Sequence, residues 1–146
     1  MEVLNELLPS TPEQIQAMQE SGPDGPIFMV NLLKFKDKAE YEDGRETDLT
    51  GRAAYLLYGR GVGGLLHKYG GKLVFLGNVT GLQIGQVEDL WDEVAIAMYP
   101  DRAALLAMST SKEWRELAVH RAAGLEGQLN IETVVPPGLT NSERGR

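Results

Sequence analysis

The sequence predicts an α+β domain that works as a homodimer, and three observations lead there. Its elements read strand, helix, strand, strand, helix, strand. Its strands are apolar on both parities, so both faces of the sheet need cover. Its 146 residues show no break in composition that would divide them into two domains.

The elements follow from local chemistry. Thr11-Pro12-Glu13-Gln14 combines an N-cap residue, proline at the first helical position and glutamine three residues after the cap, so a short helix follows. Gly22-Pro23-Asp24-Gly25-Pro26 stops it. Ile27 to Phe35 reads as a strand with Ile27, Met29, Asn31, Leu33 and Phe35 on one parity and Phe28, Val30, Leu32 and Lys34 on the other. Lys36 to Asp48 is charged and reads as a mobile surface loop. A helix starts at Thr50 or Gly51 and runs to Tyr69, its stripe being Tyr55, Tyr58, Val62, Leu65, Leu66 and Tyr69. Gly59, Gly61, Gly63 and Gly64 each weaken it by up to ~1 kcal/mol relative to alanine, which close backbone packing would explain.

Lys72 to Val79 forms the second strand, and Gly81 to Glu88 a turn or short hairpin arm. Glu93 to Tyr99 forms the third strand, with Val94, Ile96 and Met98 opposite Ala95, Ala97 and Tyr99. Asp101 caps a helix through Met108. Thr110-Ser111-Lys112-Glu113 reads as a capping box and starts another helix to about Ala122. Gln128 to Val135 supplies the fourth strand. The organisation is thus an amino-terminal helical extension over 1–25, a domain over 26–135 and a flexible tail over 136–146.

This order is the ferredoxin-like βαββαβ sheet with helices on one face. Such a sheet should alternate apolar and polar if its other face met water, and here it does not. Another copy of the chain is the economical cover, the two sheets pairing face to face as a dimeric α+β barrel. The competing arrangement lays the amino-terminal helix over the open face.

Composition narrows the function classes. There is no cysteine, which excludes disulfides, thiolate metal sites and a cysteine nucleophile. A net charge of −7 with scattered basic residues argues against nucleic acid. The start, Met1-Glu2-Val3-Leu4-Asn5-Glu6, lacks the pattern of a signal peptide. The strongest apolar run, Ile27 to Leu33, falls far short of the ~20 residues of a membrane helix, so a soluble cytoplasmic protein is expected. No nucleophile elbow or phosphate loop is present, and the glycines from Gly59 to Gly64 fail the context of a dinucleotide fingerprint because they lie inside a helix.

Several stretches together carry a family resemblance. They are Met29-Val30-Asn31-Leu32-Leu33-Lys34-Phe35, Gly51-Arg52-Ala53-Ala54-Tyr55-Leu56-Leu57-Tyr58-Gly59 and Tyr69-Gly70-Gly71-Lys72. Later come Trp91-Asp92-Glu93-Val94, Met98-Tyr99-Pro100 and His120-Arg121-Ala122-Ala123-Gly124-Leu125. In this order the sequence resembles the domain-of-unknown-function 1330 family, of the dimeric α+β barrel superfamily. Where that family has a small hydroxyl residue after the Tyr-Pro pair, Asp101 stands here, and the helix before Gly22 resembles the longer subtype. The resemblance implies the fold and the dimer but no activity. Superfamily relatives include cofactor-free isomerases, small oxygenases and haem-degrading enzymes, and fold analogy does not choose among them.

The candidate pocket residues are Asn31, Tyr55, Tyr58, Asn78, Tyr99, His120 and Arg121. An amide at Asn31, mid-strand among apolar residues, either orients a ligand or is satisfied by a neighbouring strand or the partner copy. Asn78 ends a strand and could face the same cavity or cap a turn. Tyr55, Tyr58 and Tyr99 are core rings whose hydroxyls need partners and could line a pocket. Arg121 shares a helical face with Trp114, Leu117 and Ala118, so it would bind a carboxylate, pair with an acid or snorkel. His120 would act as a base, or simply favour a helix C-terminus. His67 points to solvent, and two separated histidines do not make a dedicated metal site. Two functions follow: a cofactor-independent isomerase or oxygenase acting on a small apolar or aromatic acid, or a noncatalytic dimeric module binding a small molecule or a protein. Neither requires a cofactor or a metal.

Overall fold

The computed structural model describes residues 6–139; the readings of Met1–Asn5 and of the tail from residue 140 lie outside it. In chain order the elements are α1 (Pro12–Gln19), β1 (Ile27–Phe35), α2 (Gly51–Lys68), β2 (Lys72–Asn78), β3 (Glu93–Tyr99), α3 (Arg102–Ser109), α4 (Lys112–Gly124) and β4 (Leu125–Thr133). The strands form one antiparallel sheet in the order β2-β3-β1-β4. Thr11 closes the expected capping box on α1, its hydroxyl accepting from the Gln14 amide at 3.1 Å while the Gln14 side chain accepts from the Thr11 amide at 2.8 Å. Thr50 and Asp101 cap α2 and α3.

The helices lie on one face of the sheet. There Ile27, Met29, Ala97 and Tyr99 pack with Leu65 and Leu66 of α2 and Met108 of α3. Leu33, Phe35, Ala95 and Leu125 continue this layer, with Tyr55 against them. Residues opposite one another in an antiparallel ladder share a face. The register therefore puts Leu76, Ala95, Asn31 and Asn130 in one helix-facing row, and Asn78, Glu93, Leu33 and Gln128 in the next.

The other face is apolar across all four strands. It carries Phe28, Val30 and Leu32 of β1, Val94, Ile96 and Met98 of β3, Phe75 of β2, and Leu129 and Ile131 of β4. Phe75 and Ile131 are 53% and 46% exposed. Helix α1 does not cover them. It packs beside α3, where Arg102 donates to the Ala17 carbonyl at 2.9 Å. A groove of about 650 Å³ crosses this face between β2 and the segment from Thr133 to Pro136, floored by Phe28, Val30 and Ile96.

Three local expectations are corrected. Strand β4 begins at Leu125, directly after α4, and ends at Thr133. The early start follows from Leu125, which pairs with Phe35 and is 1% exposed. Ser111, not Thr110, caps α4: its hydroxyl accepts from the Trp114 amide at 3.1 Å, while Thr110 closes α3 by donating to the Leu106 carbonyl. The charged segment after β1 packs down instead of standing free. Ala39 and Tyr41 are buried against Ala54 and Ala123, and backbone bonds run from Lys36 to Gly124, Ala39 to Leu49 and Glu40 to Ala123. Its charges face water while two apolar side chains anchor it, a pattern too sparse to register as periodicity.

Candidate functional site

The polar cluster on the helix side begins from Asn31. Its Nδ2 donates to the carbonyls of Met29 at 3.3 Å and Ala95 at 3.2 Å. Its Oδ1 accepts from Gln128 Nε2 and Asn130 Nδ2, each at 2.8 Å. All of its side-chain hydrogen-bonding capacity is thereby used, by its own strand and the two beside it. Gln128 Oε1 accepts from Arg121 Nη2, which ties α4 to the sheet. Among the described residues this neutral amide is the hydrogen-bond partner of Arg121, and no carboxylate pairs with it.

The tyrosines stand beside this network. The rings of Phe35 and Tyr55 are 5.4 Å apart, those of Tyr55 and Tyr58 5.3 Å, and Trp114 meets Tyr58 edge-on at 6.4 Å. Trp114 Nε1 donates to the Tyr58 hydroxyl at 3.1 Å. Burial pushes the Tyr58 phenol above its usual range, partly opposed by the Trp114 bond and by Arg121. Tyr55 and Tyr99 are pushed well up, first by burial and then by Tyr58. Neither of these two hydroxyls has a partner among the described residues, although Tyr99 is only 7% exposed. A desolvated phenol without a partner costs stability, so these two are informative. Phenols are protonated at neutral pH in any case, so both hydroxyls stand ready to donate hydrogen bonds.

Of the seven expected residues, Asn31 and Arg121 join through Gln128, Tyr55 and Tyr58 stand beside Arg121, and Tyr99 lies farther along β3, opposite Ile27, in reach of Tyr58. The other two are engaged elsewhere. Asn78 accepts from Arg52 Nη1 at 3.0 Å at the end of β2. His120 Nδ1 lies 2.7 Å from the Tyr41 hydroxyl, with the rings edge to face, so it holds the segment after β1 against α4. His67 is exposed, as its helical angle indicates.

Sequence reasoning missed Gln128, Asn130, Arg52 and Glu93. The first two were legible in part, because β4 alternates polar Gln128, Asn130 and Glu132 with apolar Leu129 and Ile131. Glu93 had a signal too: it shares a parity with Ala95, Ala97 and Tyr99. Its carboxylate takes Arg52 Nη1 at 3.0 Å, and its side chain is only 13% exposed. Burial raises its pKa, Arg52 opposes the rise, and Asp92 adds to it.

Among the described residues, no group of three or more His, Asp or Glu is arranged to hold a metal ion, and no helix is long and apolar enough to cross a membrane.

Strand order and helical layer define a ferredoxin-like α+β protein. The chain belongs to the domain-of-unknown-function family DUF1330, which it matches over residues 44–134. It is similar to a protein of unknown function from Rhodopseudomonas palustris, at 33% identity and a TM-score of 0.80, covering 90% of this chain and 99% of that one. The methylated form of that protein matches at 36% identity and a TM-score of 0.82, covering 93% and 100%. A dimeric protein of unknown function with a ferredoxin-like fold, from Bacteroides fragilis NCTC 9343, shares the fold at 11% identity and a TM-score of 0.50, covering 74% and 94%. No curated protein matches the chain.

Proposed function

We propose that this chain is a homodimer and that each protomer binds a small, largely apolar carboxylic acid between α2, α4 and the sheet. The dimer reading rests on the open sheet face, whose apolar side chains on four strands need a complementary cover. A second copy supplies it by two-fold symmetry, and the Bacteroides fragilis protein of the same fold is dimeric.

The observation that carries the ligand reading is Arg121. A part-buried guanidinium answered only by a neutral amide oxygen keeps unused donors and an uncompensated charge. The unpartnered hydroxyls of Tyr55 and Tyr99 lie in the same aromatic surroundings and would accept or donate to an acid held there. Asn31 serves as a fixed platform, because its bonds to three strands hold Gln128 and hence Arg121 in place.

Calorimetric titration with phenylpyruvate, a small aromatic acid, tests the reading. The wild type binds it, and Arg121→Gln weakens binding by at least about tenfold, as expected from losing a charge-assisted bond of roughly 1.5–3 kcal/mol. Arg60→Gln, an exposed change elsewhere on α2, leaves affinity unchanged. Equal affinity in wild type and Arg121→Gln would remove the basis of the assignment.

A further inference from the structure

Glu93 occupies a costly position that the binding reading leaves unused. It opens β3 on the helix-facing side, opposite Leu33 of β1 and Asn78 of β2. Arg52 and Tyr55 face it from α2, and Asp92 precedes it on its own strand. Arg52 Nη1 is shared, lying 3.0 Å from both the Glu93 carboxylate and the Asn78 oxygen, and its guanidinium sits 4.6 Å over the Phe35 ring. Phe35 in turn packs at a tilt on Tyr55, and Glu93 shares its helix-facing row, across Leu33, with Gln128, the residue that holds Arg121.

An ion pair that merely clips α2 to the sheet is a poor account of this arrangement. The Arg52 side chain is 52% exposed, so its attraction is screened and worth little, whereas the shielded carboxylate bears the desolvation cost. Such a carboxylate, beside unpartnered hydrogen-bond donors, is the arrangement of a general base.

Resting on the ligand reading above, we propose that Glu93 is the proton-carrying residue of the site and that the ligand is an enolisable 2-oxo acid. Arg121 holds the carboxylate of that acid. The Glu93 carboxylate takes a proton from the carbon next to the carbonyl: that C–H bond breaks and an O–H bond forms on Glu93. The electron pair moves onto the carbonyl oxygen, which accepts a hydrogen bond from the Tyr55 hydroxyl. Return of the proton, to the carbon or to the oxygen, restores the Glu93 carboxylate and releases keto or enol form. The cycle consumes no oxidant, reductant or co-reactant. Arg52 is a positioning residue: it holds the Glu93 carboxylate by its 3.0 Å bond and opposes the rise in its pKa that burial imposes.

Phenylpyruvate in D2O reports this step by NMR, through exchange of the protons on the carbon next to its carbonyl. The wild type accelerates exchange over buffer. Glu93→Gln binds the acid within about twofold of wild type yet loses at least about a hundredfold of the acceleration, the lower bound for a general base. Arg52→Gln retains exchange, with the midpoint of its pH profile moved upward because a cation that favoured the ionised carboxylate is gone. Binding without exchange in the wild type, full exchange in Glu93→Gln, or an unmoved profile in Arg52→Gln would overturn the role of Glu93 while leaving the binding site intact. Failure of the wild type to bind would overturn the ligand reading itself, and this inference with it.

Discussion

Asn31 shows how much one residue discloses and where it stops. A mid-strand amide was legible as something requiring partners. Its partners were not, because Gln128 and Asn130 come opposite β1 only once β4 lies at that edge, which local pattern does not determine. The same holds for His120 and Asn78: helical angle and strand parity placed them on elements, but their engagements with Tyr41 and Arg52 depend on how those elements meet. Truncating Asn31 leaves two side-chain amides seeking an acceptor and two carbonyls losing a donor. Asn31→Ala should therefore lower unfolding stability by about 1–3 kcal/mol in urea. A loss below about 0.5 kcal/mol would mean that water replaces the amide and that the platform is not as described.

At the scale of elements, the glycines within the helices separate into two kinds, as Gly59 of α2 and Gly124 of α4 show. A Cβ on Gly59 meets nothing within 4 Å, so Gly59→Ala should stabilise the protein by up to about 1 kcal/mol through helix propensity. A Cβ on Gly124 would run into the backbone of Gly51 and Tyr55, at 2.9 Å from the Tyr55 nitrogen, where α4 ends against the start of α2. Backbone does not give way, so Gly124→Ala should cost about 1–3 kcal/mol, and thermal melts of the two variants should shift in opposite directions. Helix existence and the caps at Thr11 and Asp101 were readable because propensity and capping are local, while the α4 cap fell one residue later than its pattern, at Ser111; which glycine marks a crossing depends on the partner helix.

The bridge between α3 and β4 is a second property of elements. Arg102 donates to both oxygens of Glu132, at 2.7 and 2.8 Å, and this holds the Glu132 carboxyl below its usual range. A lowered pKa in the folded state contributes stability above the ordinary glutamate value of about 4.3, and that contribution fades as pH falls through the folded value. Glu132→Gln should thus be less stable than wild type at pH 7, with the gap closing below about pH 4. A gap that persists at pH 3 would assign the effect to packing instead of charge.

For the whole molecule, the two-faced strands were the most informative pattern in the chain. Helix-facing Ile27, Met29, Leu33 and Phe35 and open-face Phe28, Val30 and Leu32 lie where their parities put them. What parity alone could not reveal is that β4 reverses the usual assignment. Its polar residues turn inward to Asn31, and its apolar Leu129 and Ile131 extend the open face to the sheet edge. The face is therefore wider than three strands predicted, and a monomer would leave it in water. Sedimentation equilibrium at low micromolar concentration, on the wild type beside Ile96→Lys, tests this most directly. Ile96 sits mid-strand on that face, so the account predicts twice the chain mass for the wild type and a shift to the single-chain mass for the variant. A wild type that stays at the single-chain mass would contradict the homodimer outright.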